Sequence, residues 1–252
     1  MAQQLPLTRL AKGTSYTNTH SDLQYCIDKG SERWKRDKEA GIREQKYEMT
    51  RSGIDLDISG FINEFTFSRM VNQDNAERLN DTTPQGIRND RGDVVVDGAK
   101  IDIKGPIGHY CDIWVRKNSQ RNPSQVYVLL TMNKRTDALP TKRPVRENEG
   151  HVTFHEAESI TPIFQGAVCA YDLFQKKHLT YRKGQPMFVY PQGDLLNLED
   201  AIARWKALTP EQIAWVNQFK ELPDLLGHLK GDGGHTGPPR KKRKSDVKDK
   251  HE

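Results

Sequence analysis

Long apolar runs are missing from this 252-residue sequence. Nothing in it approaches the roughly 18 consecutive apolar residues that a membrane-spanning helix needs, so no membrane span is expected. The opening stretch, MAQQLPLTRLAKG, has no apolar centre of signal-peptide length, so secretion is not expected either. Cysteine is scarce: Cys26, Cys111 and Cys169 are odd in number and widely spaced, with no CxxC pair. That excludes a disulfide framework and a zinc-finger spacing, and it points to an intracellular protein with reduced thiols. Apolar side chains make up only 35% of the chain, so part of it is expected to be loop or tail rather than core.

A basic folded body is also absent. The net charge is +5, but residues 240–252 carry seven Lys/Arg against three Asp/Glu, which leaves +1 for residues 1–239. Long-range attraction of a polyanion by net charge would therefore come largely from the tail.

Along the chain, residues 1–28 are rich in Thr, Ser, Gln and Asn and read as a poorly ordered lead-in. A single domain is expected over 29–228, followed by a flexible basic tail over 229–252. KGSERWKRDKEAGIREQKYEMTRSG (29–53) favours a helix with Ser31 as N-cap. On that helix Arg33, Lys35, Arg36 and Lys38 read as a solvated face, or as phosphate contacts. A second helix is expected over 57–73 and a hairpin over 92–104, with strands in 111–118 and 125–134. Residues 135–159 read as a long loop. Beyond it, 160–179 reads as a strand and then a helix past Gly166, and 185–208 as a strand, a turn and a helix. In 209–222, Thr209 caps a helix with Pro210 at its first position. Strands among helices predict a mixed α/β domain.

The segment GDVVVDGAKIDIKGP (92–106) carries the chemistry. Asp97-Gly98 between apolar runs predicts a two-residue turn, which would set Val96 against Ala99, Val94 against Ile101, and Asp93 opposite Asp102. Two unit charges about 5 Å apart repel by roughly 3 kcal/mol at an effective dielectric near 20. Such a pair calls for a protonated member or a cation between them. Strand alternation puts Asp102 and Lys104 on one face and Ile101 and Ile103 on the other. Two acids and an amine suit phosphodiester hydrolysis: the acids hold a divalent metal that polarises the phosphate and activates water. The amine orients that water or offsets developing charge. A turn at Gly98-Ala99 would instead pair Asp93 with Lys104 as a plain cross-strand ion pair. In the helix before the hairpin, Ile58, Phe61, Ile62, Phe65, Phe67 and Val71 cover one broad side, with Asn63, Thr66 and Arg69 mostly on the other. Glu64 falls within the apolar side, where a carboxylate needs a partner. That partner is either a nearby Lys or Arg or the same metal site.

Glu64 on a helix with SGFINE, then Asp93, then Asp102-Ile103-Lys104 after a β-turn resembles the PD-(D/E)XK nuclease superfamily, as found in phage and bacteria. The likeness covers about residues 31–200, and its most specific part is 60–104. It implies a restriction-endonuclease-like core, a mixed β-sheet flanked by helices. It also implies a Mg²⁺-dependent (or Mn²⁺-dependent) deoxyribonuclease with Glu64, Asp93, Asp102 and Lys104 as catalytic residues. Asp93, Asp102, Glu64 and the Ile103 carbonyl would be the metal ligands. Gly92 stands where the family often has Pro, and Asn63 where it often has Gly. DNA is the implied partner, and many members cut as dimers. Two other readings stand beside this one: a nucleic-acid-binding protein that keeps the fold without cutting, and a Holliday-junction resolvase.

Arg116, Lys117, Arg121, Lys134 and Arg135 are expected near the site as phosphate contacts, as are Arg240, Lys241, Lys242, Arg243 and Lys244 in the tail. The run PPRKKRK (238–244) also has the form of a nuclear-import signal, which would place the protein in the nucleus of a eukaryotic cell. In a bacterial or phage setting the expected location is the cytoplasm. His151 and His155 read as surface histidines, and His109 and Tyr110 as a loop pair or a substrate contact.

Overall fold

A computed structural model describes residues 10–41, 53–71, 93–105, 112–116, 123–132, 159–182 and 185–218. Two helices come first, α1 (His20–Glu39) and α2 (Gly53–Met70). Among the described residues seven strands follow: β1 (Val94–Val96), β2 (Ala99–Lys104), β3 (Ile113–Arg116), β4 (Val126–Met132), β5 (Pro162–Cys169), β6 (Leu179–Arg182) and β7 (Gln185–Tyr190). The helices Leu198–Lys206 and Pro210–Asn217 complete the described chain.

The strands divide between two sheets. One is mixed, in the order β1-β2-β4-β5, with β2 parallel to β4 and the other pairs antiparallel. The other is antiparallel, in the order β3-β7-β6. β4 is buried along its whole length, as expected for a run such as VYVLLTM with no polar alternation. Its two faces serve different cores. Val126, Val128 and Leu130 join Phe67, Val94, Ile101, Phe164 and Ile202 on one side. Tyr127 and Leu129 join Ile113, Val115, Phe174 and Phe188 of the second sheet's layer on the other. A third cluster lies between α1 and α2, with Leu23, Cys26, Ile27, Ile58, Phe61 and Ile62. The mixed α/β class is as expected. Among the described residues no helix is long and apolar enough to cross a membrane.

Several boundaries differ from the sequence reading, each for a physical reason. α1 begins at His20, not near 29, because Thr19 and Asp22 form a reciprocal capping box. Residues 10–19 are not a loose lead-in: Ser15 bridges to Ile163, Asn18 to Ile160, and Leu10 is buried in the core. α2 is covered on nearly all sides. Asn63 and Thr66, expected on its outer side, are buried, and Thr66 Oγ1 accepts a 2.8 Å hydrogen bond from Asn18 Nδ2. Gly166 does not end a strand. β5 runs through it at φ 138°, where a Cβ would lie 2.6 Å from the Cβ of Leu195, and only one helical turn follows at Ala170–Leu173. The helix after Thr209 forms as expected, with Pro210 in its first turn and a capping box to Gln212. The predicted loop 135–159 and the basic tail lie outside the described residues, apart from Ser159.

Candidate active site at the β1–β2 hairpin

The turn falls at Asp97-Gly98, with φ values of 48° and 76°. Both central residues are left-handed, the geometry that matches the strand twist of a two-residue hairpin. The pairing is the one the turn predicts: Val96 with Ala99, Val95 with Lys100, Val94 with Ile101. The Gly98-Ala99 alternative, which would have placed Asp93 opposite Lys104, is thereby excluded.

Past Val94 the ladder changes. The Asp93 N–H donates to the Ile101 carbonyl at 2.7 Å, and Asp93 Oδ2 accepts the Ile103 N–H at 2.7 Å. The expected face-to-face pairing with Asp102 is thus replaced by a carboxylate seated in the ladder itself. A side chain does the work of a backbone carbonyl, so the acid is fixed against the residue between Asp102 and Lys104. On β2, Lys104 Nζ lies 2.7 Å from Asp102 Oδ1, confirming that the two share a face. Asp102 is nearly buried there, with its side chain 6% exposed against 27% for Lys104. Below them lies fully buried Tyr127, the β4 neighbour of Asp102, its ring centroid 6.0 Å from Lys104 Nζ.

Glu64 comes to this corner from α2, and Arg33 comes from α1. Arg33 Nη1 and Nη2 donate to Glu64 Oε1 and Oε2 at 2.8 and 3.0 Å, a bidentate pair with both side chains largely buried. Of the two partners open to Glu64, an arginine is therefore present. Arg33 is correspondingly not on a solvated face. It turns inward, whereas Arg36 pairs with Glu32 and Lys38 lies over the Trp34 ring.

The electrostatics tie these groups together. The Asp93 carboxyl is pushed up to about 7, first by burial and then by the charges of Glu64 and Asp102. The Ile103 N–H and Lys104 pull it back only in part. Asp93 keeps some exposed surface, yet its carboxyl lies deep enough for burial to be the largest cause. Burial opposes the Arg33 charge, but Glu64, through its charge and hydrogen bonds, together with Asp93 and Asp57, raises its pKa further. Glu64, Asp93 and Asp102 therefore form one electrostatic unit, with Arg33 and Lys104 as its cations.

Among the described residues, no group of three or more His, Cys, Asp or Glu side chains is arranged to hold a metal ion. Both Glu64 oxygens are engaged by Arg33, which leaves Asp93 and Asp102 as the carboxylate pair at the hairpin. That pair fits a hard divalent cation by its donor chemistry. Burial and the charges of Glu64 and Asp102 raise the Asp93 carboxyl, and a cation beside it would oppose that shift.

The other expected site residues fall, wholly or in their side chains, outside the described residues. Arg116 pairs through its backbone with Met187 on β7, and its side chain lies outside the described residues. Lys117, Arg121, Lys134, Arg135 and Arg240–Lys244 also lie outside them, as do His109, Tyr110, His151 and His155. The sequence reading missed the inward role of Arg33. A signal was present: Leu23, Cys26, Ile27, Gly30, Arg33 and Asp37 recur at helical spacing as the buried stripe of α1.

A family model matches residues 8–192, a span that includes Arg33, Glu64, Asp93, Asp102 and Lys104 and stops before the last two helices. No curated protein and no solved structure matches the chain. The match covers well over half of the 252 residues, and the chain belongs to the Family of unknown function (DUF5843).

Proposed function

We propose that this protein is a Mg²⁺-dependent deoxyribonuclease, an endonuclease built on a restriction-endonuclease-like core. One observation carries the reading. A single strand presents Asp102 and Lys104 2.7 Å apart, while Asp93 is bound to the N–H of the residue between them. A purely solvated hairpin has no use for three ionisable groups drawn into a half-buried corner, with a fourth, Glu64, close enough to raise Asp93. The mixed sheet, with β2 inside it and α2 packed against it, is the framework on which the proposal rests.

In this reading Asp93, Asp102 and the Ile103 carbonyl would hold the divalent ion. When bound, the ion polarises the phosphate and lowers the pKa of water. The chain's own residues do the rest. Tyr127 and the fully buried β4 form a rigid floor that keeps Asp102 and Lys104 in register. Lys104, the more exposed of the two, presents its ammonium where charge develops on phosphate oxygens. The Ile103 N–H fixes the Asp93 carboxylate so that it does not rotate away. DNA is the proposed substrate, with the basic tail adding affinity independent of sequence.

The test uses plasmid, linear and branched DNA with the full-length protein in Mg²⁺, in Mn²⁺ and in EDTA. Cleavage that requires the metal is the expected result, and the preferred DNA form separates a general endonuclease from a junction resolvase. Binding without cleavage in either metal would overturn the nuclease reading in favour of a binding protein.

A further inference from the structure

Arg33 is an unusual residue to find inside a helix pair. Arg33 is 5% exposed, and its guanidinium lies 4.9 Å from the centroid of the Phe61 ring and uses both terminal nitrogens on Glu64. Its Nε–H is buried without a hydrogen-bond partner. A buried ion pair is often no more stabilising than apolar side chains of the same volume, and an unpaired buried donor adds a further cost. Stability alone is therefore a weak reason for this arrangement. Position is a stronger one. α1 and α2 touch backbone to backbone where a Cβ on Gly30 would lie 2.6 Å from Ile58 Cα, and one helical turn later Arg33 meets Glu64. The close approach fixes the rotation of α1, so the guanidinium is delivered to the acid cluster rather than to solvent.

We propose that Arg33 is a positioning residue, a resident counter-cation that holds Glu64 out of the metal's coordination shell, so that the cluster takes one divalent ion on Asp93 and Asp102. The inference rests on the metal site of the nuclease reading. Charge supports it. Glu64, Asp93 and Asp102, with Asp57 beside Arg33, carry four negative charges when ionised, and Arg33 and Lys104 carry two positive ones. One divalent ion balances that excess, whereas two would leave a net positive charge in a half-buried corner. Geometry supports it as well, since a carboxylate gripped at both oxygens by a planar fork is poorly placed to turn toward an ion.

The test counts bound Mn²⁺ on the full-length protein without DNA, from the electron paramagnetic resonance signal of free Mn²⁺. The wild type is expected to bind one ion at the site. Arg33→Met releases Glu64, and should either admit a second ion or tighten the first by about tenfold. Arg33→Lys should keep the wild-type stoichiometry. The double variant Arg33→Met/Glu64→Gln removes the pair as a neutral unit, and should bind one ion with close to wild-type affinity. It decides the matter if Arg33→Met alone does not fold. A folded Arg33→Met protein that binds Mn²⁺ as the wild type does would overturn the inference. So would a double variant weakened by about tenfold or more, since that is the loss expected when a group holding the metal is removed. Two ions on the wild type overturn this inference alone, and no ion on the wild type overturns the metal site and the inference with it.

Discussion

Asn63 occupies the space that a side chain at position 105 would need. A Cβ on Gly105 would lie 1.8 Å from Asn63 Nδ2 and 2.4 Å from its Cγ. The contact seats α2 against the exit of β2, and each partner is the chain neighbour of a candidate catalytic residue, Glu64 or Lys104. Asn63 is held in turn by a 2.9 Å bond from its Nδ2 to the Ser59 carbonyl. The helix acid and the strand lysine are therefore set by one point of close packing.

Gly105→Ala should destabilise the fold by about 1–3 kcal/mol, the usual cost of overpacking a filled site. Asn63→Ala in the same chain should recover most of that loss in urea denaturation. A double variant as unstable as Gly105→Ala alone would show that the contact is not what limits position 105.

Gly30→Ala should separate α1 from α2, because the added methyl meets Ile58 backbone rather than a movable side-chain end. A loss of about 1–3 kcal/mol or more is expected. The Arg33–Glu64 pair should loosen with it, visible as faster hydrogen exchange along α1. Unchanged stability would contradict the close approach.

Asp93 gives a pH dependence of definite sign. Its ordinary pKa of 3.8 rises to about 7 in the fold, so between those values the folded protein holds a proton that the unfolded chain releases. Stability on this account falls as pH rises through that window and levels off above it. Asp93→Asn removes the titration, so its melting temperature relative to wild type should climb across the same window. Mg²⁺ should reduce the wild-type decline by favouring the ionised form. Parallel profiles for the two proteins would contradict the shift.

How much of this could be read beforehand depended on the range of each signal. The Asp97-Gly98 turn and the Thr209-Pro210 helix start were legible because a few adjacent residues determine each. That Asp102 and Lys104 share a face followed from strand alternation alone. The seat of Asp93 on the Ile103 N–H did not, because simple pairing predicts an acid opposite an acid, not a side chain entering the ladder. Arg33 was misread for two reasons. Starting α1 near 29 cut off Leu23 and Cys26, which reveal its buried stripe, and its partner Glu64 lies 31 residues away. Splitting the strands into two sheets was also beyond local pattern, since β3 leaves its sequence neighbours to pair with β7.

Removal of residues 231–252 should weaken DNA binding and flatten its salt dependence, because the tail holds most of the net positive charge. Cleavage at saturating protein should be little changed. An unaltered salt slope would contradict the role given to the tail.

The most direct test of the central claim compares plasmid cleavage in Mg²⁺ by the wild type, Asp102→Ala and Lys104→Ala, with each variant first shown to be folded. Loss of one charge-stabilising group typically costs about a hundredfold or more in rate, and each variant should fall by at least that much. Cleavage at the wild-type rate by folded Asp102→Ala or Lys104→Ala would show that the chemistry lies elsewhere.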